Sequence, residues 1–290
     1  MFTIFGATGH TGSVVAAELL RRGEQVRVLV RDPAKVAALA ARGAEIVEGD
    51  VLDDASIAKA LAGARGAYLL MPPDVRSQDL LARDAKIARG FAKAVTAERT
   101  PHIVLLSSVG AQEPSGTGPI VATHVAEKML SAIPGTRATF LRAAYFMENL
   151  LDYATAMKTD GIIPVFGGGA DVRFPMIATR DIGTVAAEAL ASGGPGSPMD
   201  IVELQGPTEY SFDDAASSAS KVIGRQVKTH TLPLDALVPT LTGLGISDNV
   251  ATLYREMTDA VGSGKVRYDG SGRQIRGKTS LEEVLRVAVS

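Results

Sequence analysis

Three glycines at three-residue spacing stand near the start of the chain, in the run Gly6-Ala7-Thr8-Gly9-His10-Thr11-Gly12. The run before them, Phe2-Thr3-Ile4-Phe5, is typical of a strand, and the residues after them carry apolar side chains at helical spacing. In such a strand–turn–helix, the glycines allow a tight turn, the close approach of a phosphate, and close packing of helix on strand. The helix N-terminus then offers free N–H groups and a partial positive charge. The alternative is a structural turn without a ligand. The context favours a dinucleotide pyrophosphate, held by Gly6, Thr8, Gly9, His10, Thr11 and Gly12, with further hydroxyl donation from Ser13.

The end of the second predicted strand distinguishes between the two nicotinamide cofactors. An acidic residue there would hold the ribose 2′-hydroxyl of NAD, whereas an arginine accommodates the 2′-phosphate of NADP. Arg31 comes first at this place and Lys35 follows one helical turn later, so that both can pair with a phosphate. Alternatively, Asp32 is the ribose acid, or only the cap of a helix that begins at Pro33. Arg31 favours NADPH, with NADH as the alternative.

Further contacts are expected where other strands end, because ligands of open parallel sheets bind at the carboxyl edge. Asp50 and Val51 follow the third strand. Asp50 either accepts a hydrogen bond from the adenine amine or is a solvated turn residue. Met71-Pro72-Pro73 ends the fourth strand and either walls the groove or simply stops the strand. Ser107-Ser108 ends the fifth strand, where one hydroxyl touches nicotinamide or substrate unless the pair forms only a turn.

A Tyr-x-x-x-Lys pair, as short-chain dehydrogenases use it, is missing: none of the six tyrosines has a lysine four residues later. At the expected place stand His124 and Lys128, which share a helix face. Lys128 would donate to the ribose hydroxyls near the nicotinamide, and His124 would transfer a proton near neutral pH. Alternatively, both are simply exposed residues of an amphipathic helix. The sequence favours this alternative for His124. For Lys128 it supports the alternative and the functional interpretation equally.

The missing tyrosine restricts the chemistry of the predicted site. Reduction of an ordinary ketone gives an alkoxide whose conjugate acid is about as weak as water, with a pKa of about 15.7, and a positioned proton donor helps greatly. Reduction of a quinone gives a phenolate, whose conjugate acid has a pKa of about 10. For this reaction, positioning of the hydride alone suffices. The sequence therefore favours conjugated, electron-poor acceptors, provided that Tyr145 or Tyr153 is not a hidden donor.

The elements that position these residues alternate between short apolar strands and longer amphipathic helices. This rhythm predicts an α/β fold, a Rossmann doubly wound parallel sheet with a smaller, mostly helical C-terminal lobe. Residues 1–150 are predicted to form the NAD(P)-binding domain and residues 151–290 the substrate lobe. Segments at about 174–207 are expected to return to the main sheet, residues 160–170 to form a glycine-rich loop, and the chain after 208 to be mostly helical.

Composition limits the class of protein further. A net charge of -2 provides no general field for nucleic acid, and the absence of cysteine excludes disulfides and thiolate chemistry. No apolar run reaches the roughly 20 residues of a membrane span, and we expect no secretory leader, because the sequence opens directly on a strand-like run. We expect a cytoplasmic monomer or homodimer that acts on a small-molecule substrate, with no metal site and no nucleic-acid or membrane partner.

Several motifs together resemble the NmrA-like group of atypical short-chain dehydrogenase/reductases. They are the glycine loop, Val30-Arg31-Asp32-Pro33, Glu48-Gly49-Asp50, His124 with Glu127-Lys128-Met129-Leu130, Leu141–Leu150, and Phe174-Pro175-Met176 with Thr179-Arg180-Asp181-Ile182. The resemblance covers most of the first 190 residues and weakens afterwards. The motifs are much more specific for the family than for an activity. The chain departs from the pattern at Ala143, where members often have proline after the Leu-Arg pair.

The resemblance implies a Rossmann domain with a small C-terminal lobe, and NADPH-dependent reduction of quinones, azo dyes or triphenylmethane dyes. It also implies that Tyr145 and Phe146 lie near nicotinamide and substrate, with Lys128, His124 and Tyr145 as the candidate catalytic residues. Other members of the group are redox-sensing regulators with little turnover. A reductase of conjugated acceptors is therefore the first hypothesis, and an NAD(P)-sensing protein is the alternative.

Overall fold

A computed structural model describes residues 1–194 and 196–289 of the chain. Its strands are β1 (Phe2–Phe5), β2 (Val26–Val30), β3 (Glu45–Glu48), β4 (Gly66–Leu69), β5 (His102–Ser108), β6 (Arg137–Ala143), β7 (Tyr145–Phe146), β8 (Ile162–Phe166), β9 (Phe174–Ile177), β10 (Met199–Gln205), β11 (Glu209–Tyr210), β12 (Lys228–Leu232) and β13 (Arg273–Arg276).

The α-helices are α1 (His10–Arg21), α2 (Ala37–Ala41), α3 (Asp54–Leu61), α4 (Leu80–Glu98), α5 (Ile120–Ser131), α6 (Ala154–Thr159), α7 (Thr179–Ala191), α8 (Phe212–Ile223), α9 (Leu237–Gly243), α10 (Asp248–Gly262) and α11 (Leu281–Val289). Short 3₁₀ segments cover Pro33–Val36, Met147–Tyr153 and Leu234–Ala236. No helix in the described part of the chain is long and apolar enough to cross a membrane.

The central sheet has eight strands in the order β13-β10-β6-β5-β4-β1-β2-β3, and every neighbouring pair is parallel. From β1 the chain builds outward to β2 and β3, then crosses over to β4 on the other side of β1. The carboxyl ends of β1 and β4 therefore form the switch point at which ligands of such sheets bind. This arrangement confirms the predicted Rossmann fold.

Helices cover both faces of the sheet, as its buried strands require. On one face α1 packs against α7, and this close approach requires Gly183, because a Cβ there would lie 2.6 Å from Val14 Cβ. On the other face α3, α4 and α5 pack side by side, with Phe91 of α4 edge-on to Phe5 at 4.8 Å between ring centroids. The strands are thereby fixed between two apolar layers, and their carboxyl edge stays open for the loops.

The rest of the chain forms a smaller lobe with a three-stranded sheet, β11-β9-β7, and a two-stranded sheet, β12-β8. Residues 160–170, expected as a loop, contain β8, which pairs in parallel with β12 more than sixty residues later. Such a pairing leaves no local sequence signal. β10 returns to the main sheet within the expected range, but β13, from the region expected to be helical, also joins it beyond β10. The division at residue 150 stays a prediction.

Candidate functional site

The glycine loop joins β1 to α1 with the geometry that a phosphate site needs. Gly6 adopts φ +70, a left-handed conformation that favours glycine, and its carbonyl accepts from Gly9 N at 2.9 Å. A Cβ on Gly12 would lie 2.3 Å from Gly6 O, so only glycine lets the helix begin this close to the strand. α1 begins after Gly9, which is in extended conformation, and no side chain caps it. The N–H groups of its first turn are therefore available to an anion.

The side chains around this loop divide into exposed and buried ones. Thr8 and His10 are exposed at the mouth of the loop. Thr11 is buried, and its Oγ1 accepts from the Tyr68 hydroxyl at 2.9 Å beneath the loop. The hydroxyl of Thr11 thus anchors α1 to β4, and its expected donation to the pyrophosphate stays a prediction. Ser13 is half-buried and donates to His10 O at 3.3 Å.

The end of β2 presents two exposed cations beside the loop, Arg31 and Lys35. Asp32 is a cap: its Oδ1 accepts from Ala34 N at 3.0 Å, at the start of the 3₁₀ segment Pro33–Val36. This bond supports the capping role of Asp32 over the ribose-binding role. An open groove of about 400 Å³ runs between the glycine loop and this segment. It is lined by Ala7, Thr8, Ser13, Val14, Ala17, Lys35, Val36, Ala38 and Leu39.

Asp50 and Val51 lie in the turn after β3. Asp50 is half-exposed, and its Oδ1 accepts from Leu52 N at 2.9 Å, as in a turn. Val51 packs against the core below α3 and α4. A contact of Asp50 with adenine stays a prediction.

The loop after β4 is held in place by a charged cluster. Met71 packs on the core, and the carbonyl of Pro72 accepts from Arg83 Nη1 at 2.9 Å. The same guanidinium contacts Asp84 at 2.7 Å and Asp74 at 3.4 Å. Burial raises the pKa of Asp84 to about 6, although Arg83 opposes the shift. The wall that the sequence predicts at Met71 and Pro72 is thus braced from α4.

A buried polar network begins at the end of β5 and was not predicted from the sequence. Ser107 Oγ donates to Glu127 Oε1 of α5 at 2.6 Å. Glu127 also receives Arg142 of β6, with Nε 3.1 Å from Oε1 and Nη2 2.8 Å from Oε2. All three residues are buried. An arginine inside a buried strand needs an acidic partner, so Arg142 in Thr-Phe-Leu-Arg-Ala was the signal that could have revealed it.

The network continues into residues 265–272 of the C-terminal region, which we call the strap. Arg142 Nη1 contacts Ser271 Oγ at 3.3 Å and Asp269 Oδ1 at 3.5 Å. The strap is tied down elsewhere as well: Tyr268 OH donates to Leu204 O at 2.8 Å, and Gln112 Nε2 donates to Arg267 O at 2.8 Å. The strap therefore connects the carboxyl ends of β6 and β10 with the loop after β5.

His124 and Lys128 lie on the same side of α5, next to Glu127. His124 is half-buried, and its Nδ1 lies 2.9 Å from Ala111 O. Because a carbonyl can only accept, Nδ1 carries the proton and Nε2 is the nitrogen left for a ligand. Lys128 is exposed. His124 thus lies beside the loop after β5, one helical turn before Lys128, and the catalytic roles of both stay predictions.

Tyr145 and Phe146, in β7, face different neighbours. The Tyr145 ring packs edge-on against Phe174 at 5.6 Å and Phe212 at 6.2 Å, within the core of the smaller lobe. Burial raises the pKa of its hydroxyl further above the ordinary tyrosine value. Phe146 packs against the core of the main sheet. These contacts hold the ring of Tyr145, and its expected roles near the nicotinamide and as a proton donor stay predictions.

An eight-stranded parallel sheet with an uncapped glycine loop at its switch point defines a dinucleotide-binding protein of the Rossmann class. Comparison with known families is more specific. The model of the NmrA-like family matches residues 1–283, and the chain belongs to this family. The resemblance inferred from the sequence motifs is thereby confirmed. Among the described residues, no group of three or more His, Asp or Glu side chains is arranged to hold a metal ion.

Several relatives cover nearly the whole chain. An NAD(P)H azoreductase of Xenophilus azovorans is 27% identical over 259 residues, which are 89% of this chain and 86% of the relative. The NADPH-dependent quinone oxidoreductase of Escherichia coli, solved in complex with NADPH, is 26% identical with a TM-score of 0.81 over 99% of both chains. The triphenylmethane reductase of Citrobacter sp., solved with NADP(H), shares the fold at 21% identity, with a TM-score of 0.80 over 99% and 100% of the chains.

Proposed function

We propose that the protein is an NADPH-dependent reductase that transfers hydride to a quinone-like or other conjugated small molecule. The observation that carries the proposal is the uncapped N-terminus of α1 next to the exposed cations Arg31 and Lys35. The helix end suits a pyrophosphate, and two cations one turn apart suit a 2′-phosphate. The E. coli relative, solved with NADPH, and the azoreductase support both the cofactor and the reductase activity.

Bound NADPH supplies the hydride, and the residues of the chain supply its position. Gly6, Gly9 and the first turn of α1 would hold the pyrophosphate at the switch point, and the carboxyl ends of β4 and β5 would be left for the nicotinamide. The loop at Met71 and Pro72, braced by Arg83, forms one wall. The main contribution of the protein is then to place hydride and acceptor in contact.

The acceptor class follows from the proton donors that the site offers. Tyr145 is held among aromatic rings, and His124 donates one ring proton to a backbone carbonyl. A quinone that accepts hydride becomes a hydroquinone anion, whose conjugate acid has a pKa of about 10. This anion can take a proton from water without a donor side chain. A ketone would need a donor of matched pKa. Conjugated acceptors are therefore the best substrates for this arrangement.

The test is a panel of quinones, azo dyes and triphenylmethane dyes with NADPH and NADH in parallel. Dinucleotide binding is first established by calorimetry, and oxidation is then followed at 340 nm against samples without acceptor. We expect oxidation of NADPH with at least one conjugated acceptor and little with simple ketones. Proven NADPH binding without any acceptor-dependent loss of absorbance would reject the reductase function.

The second candidate is an NAD(P)-sensing protein with little turnover. One observation favours it: the ring of Tyr145, a residue expected near the nicotinamide, packs against the core of the smaller lobe. A sensor needs the cofactor site but no proton donor. Its signature would be tight, selective dinucleotide binding that changes which partner proteins bind in pull-downs. Identical partners with NADPH, NADP and no cofactor would reject it.

A further inference from the structure

The direction of the hydrogen bond between Ser107 and Glu127 is fixed by the third member of the network. Arg142 is always protonated and has no acceptor, so its two bonds at 2.8 and 3.1 Å require both oxygens of an ionised Glu127. An ionised carboxylate can only accept. The single proton of Ser107 therefore points at Glu127, 2.6 Å away, and the remaining positions around Oγ are lone pairs.

We propose that Ser107 is the hydrogen-bond acceptor for the carboxamide N–H of the nicotinamide, and that Glu127 and Arg142 are positioning residues that hold it in this state. The inference rests on the proposed cofactor and extends it to one residue and one direction of hydrogen bonding. It decides between the two contacts that the sequence leaves open for this serine, nicotinamide or substrate.

The chemistry of the partners supports the nicotinamide over the substrate. A substrate carbonyl can only accept, so it has no use for a hydroxyl whose proton is already taken. The carboxamide carries two N–H donors and matches the lone pairs of Ser107. Turning the Ser107 proton away from Glu127 would break a short charge-assisted bond between buried groups, which is costly. Ser107 therefore cannot easily act as a donor that stabilises an oxyanion.

The position of Ser107 in the sheet also fits. It lies at the carboxyl end of β5, next to β4, while the cations of the adenosine end follow β2 on the other side of the switch point. Ser107 is 4% exposed, so it offers little more than one contact to a ligand. The strap holds Arg142 through Ser271 and Asp269, and Arg142 holds Glu127. The orientation of the serine is thus set by the fold before any ligand arrives.

The experiment measures binding of three probes to the full chain and to Ser107→Ala. The probes are NADPH, its reduced 3-acetylpyridine analogue, in which a methyl ketone replaces the carboxamide, and adenosine 2′,5′-bisphosphate, which has no nicotinamide. We expect Ser107→Ala to weaken NADPH by about three- to tenfold and to leave the other two probes unchanged. Ser192→Ala is the matched control, because that exposed hydroxyl donates to Ala189 O at 2.8 Å at the end of α7, away from the network. It should bind all three probes as the wild type does.

Each other outcome overturns the proposal in a distinct way. Equal weakening of NADPH and the acetylpyridine analogue would make Ser107 a donor to the carbonyl that both probes share. Equal weakening of all three probes would make it a structural residue. No change for any probe would remove it from the site. Because binding is measured and not turnover, an inactive protein that binds NADPH normally would reject the reductase function and leave this test intact.

A second variant tests the positioning role of Glu127. In Glu127→Gln the side-chain amide can turn its NH₂ group toward Ser107, which releases the serine proton. We expect the preference for NADPH over the acetylpyridine analogue to fall toward one, a change that loss of stability alone would not produce. An unchanged preference in folded Glu127→Gln would show that Glu127 does not orient the serine. Should Glu127→Gln not fold, Ser107→Ala still decides the proposal, since it keeps the Glu127–Arg142 pair.

Discussion

The two ends of the proposed dinucleotide groove are built in different ways. At the adenosine end the contacts come from backbone N–H groups of α1 and from exposed cations, Arg31 and Lys35. At the nicotinamide end they come from buried side chains that hold one another, with Ser107, Glu127 and Arg142 at the centre. At the adenosine end a side chain can be substituted without disturbing the fold. At the nicotinamide end, cofactor binding and the stability of the fold depend on the same atoms.

The largest expected effect is a difference in stability between two variants that each lose one charge, one at each end of the groove. Glu127→Ala leaves Arg142 buried without its main partner, and we expect the free energy of unfolding to fall by about 3–5 kcal/mol. Arg31→Ala should leave it nearly unchanged, because Arg31 is exposed. Urea denaturation measures both. Arg255→Ala is the control for loss of an exposed ion pair, that with Asp235 at 2.7 Å, and should cost at most about 1 kcal/mol. Equal stability of the Glu127 and Arg31 variants would contradict the comparison.

The next effect concerns cofactor choice at the adenosine end. Arg31→Ala removes a charge-assisted contact to the proposed 2′-phosphate, worth about 1.5–3 kcal/mol or roughly 10- to 100-fold in affinity. NADH lacks that phosphate, so its binding should change little. Calorimetry with both cofactors measures the difference. Equal losses for NADPH and NADH would show that Arg31 does not read the phosphate.

Substitutions at two glycines of the glycine loop should affect different properties, one the stability of the fold and the other the binding of NADPH. In Gly12→Ala the new Cβ would lie 2.3 Å from Gly6 O, a backbone atom, and we expect the stability of the free protein to fall by about 1–3 kcal/mol. In Gly9→Ala the Cβ meets Gly6 O at 3.4 Å, an ordinary contact, so stability should be kept while the methyl obstructs the pyrophosphate. Thermal denaturation and NADPH titration of both variants test this. Matching profiles for the two variants would refute the separate roles.

The smallest effect is a pH dependence at the nicotinamide end. The pKa of Asp84 is raised by burial to about 6, above its unfolded value of about 3.8, so the folded state binds this proton more tightly. Protonated Asp84 therefore contributes its full share to the free energy of unfolding below about pH 4, and this contribution is lost as the pH rises through about 6. Asp84→Asn lacks this titration, so its stability relative to wild type should rise between pH 4 and 7. A relative decrease over this range would mean that the ionised Asp84–Arg83 pair stabilises the fold.

The same comparison explains what the sequence could predict. The glycine loop, Arg31 and the parallel sheet follow from local patterns: a strand, three glycines and a helix within about twenty residues. For Asp32 the sequence leaves two roles open, and a single bond from Ala34 N supports capping. The nicotinamide end joins residues that lie far apart in the chain, such as Arg142 and Ser271. The arginine within the apolar run of β6 indicates that a partner must exist, but no local pattern identifies which distant residues contact it.

Individual residues show the same limit. Thr11 belongs to the motif, yet its hydroxyl turns inward because Tyr68, 57 positions away, reaches it from β4. The family resemblance implies that Tyr145 lies near the nicotinamide, and in the structure its ring packs against Phe174 and Phe212 of the smaller lobe. In both cases the sequence indicates the residue, and contacts from distant parts of the chain determine how it packs.

The return of β13 to the main sheet has a consequence for biosynthesis. β10 pairs with β6 on one side and with β13 on the other, and β13 begins only at Arg273. While the ribosome is still adding the residues between these strands, the outer edge of β10 has unpaired backbone groups. Such an edge readily pairs with another chain. A nascent or prematurely terminated polypeptide that stops before Arg273 should therefore need a chaperone, although its cofactor loop is already complete.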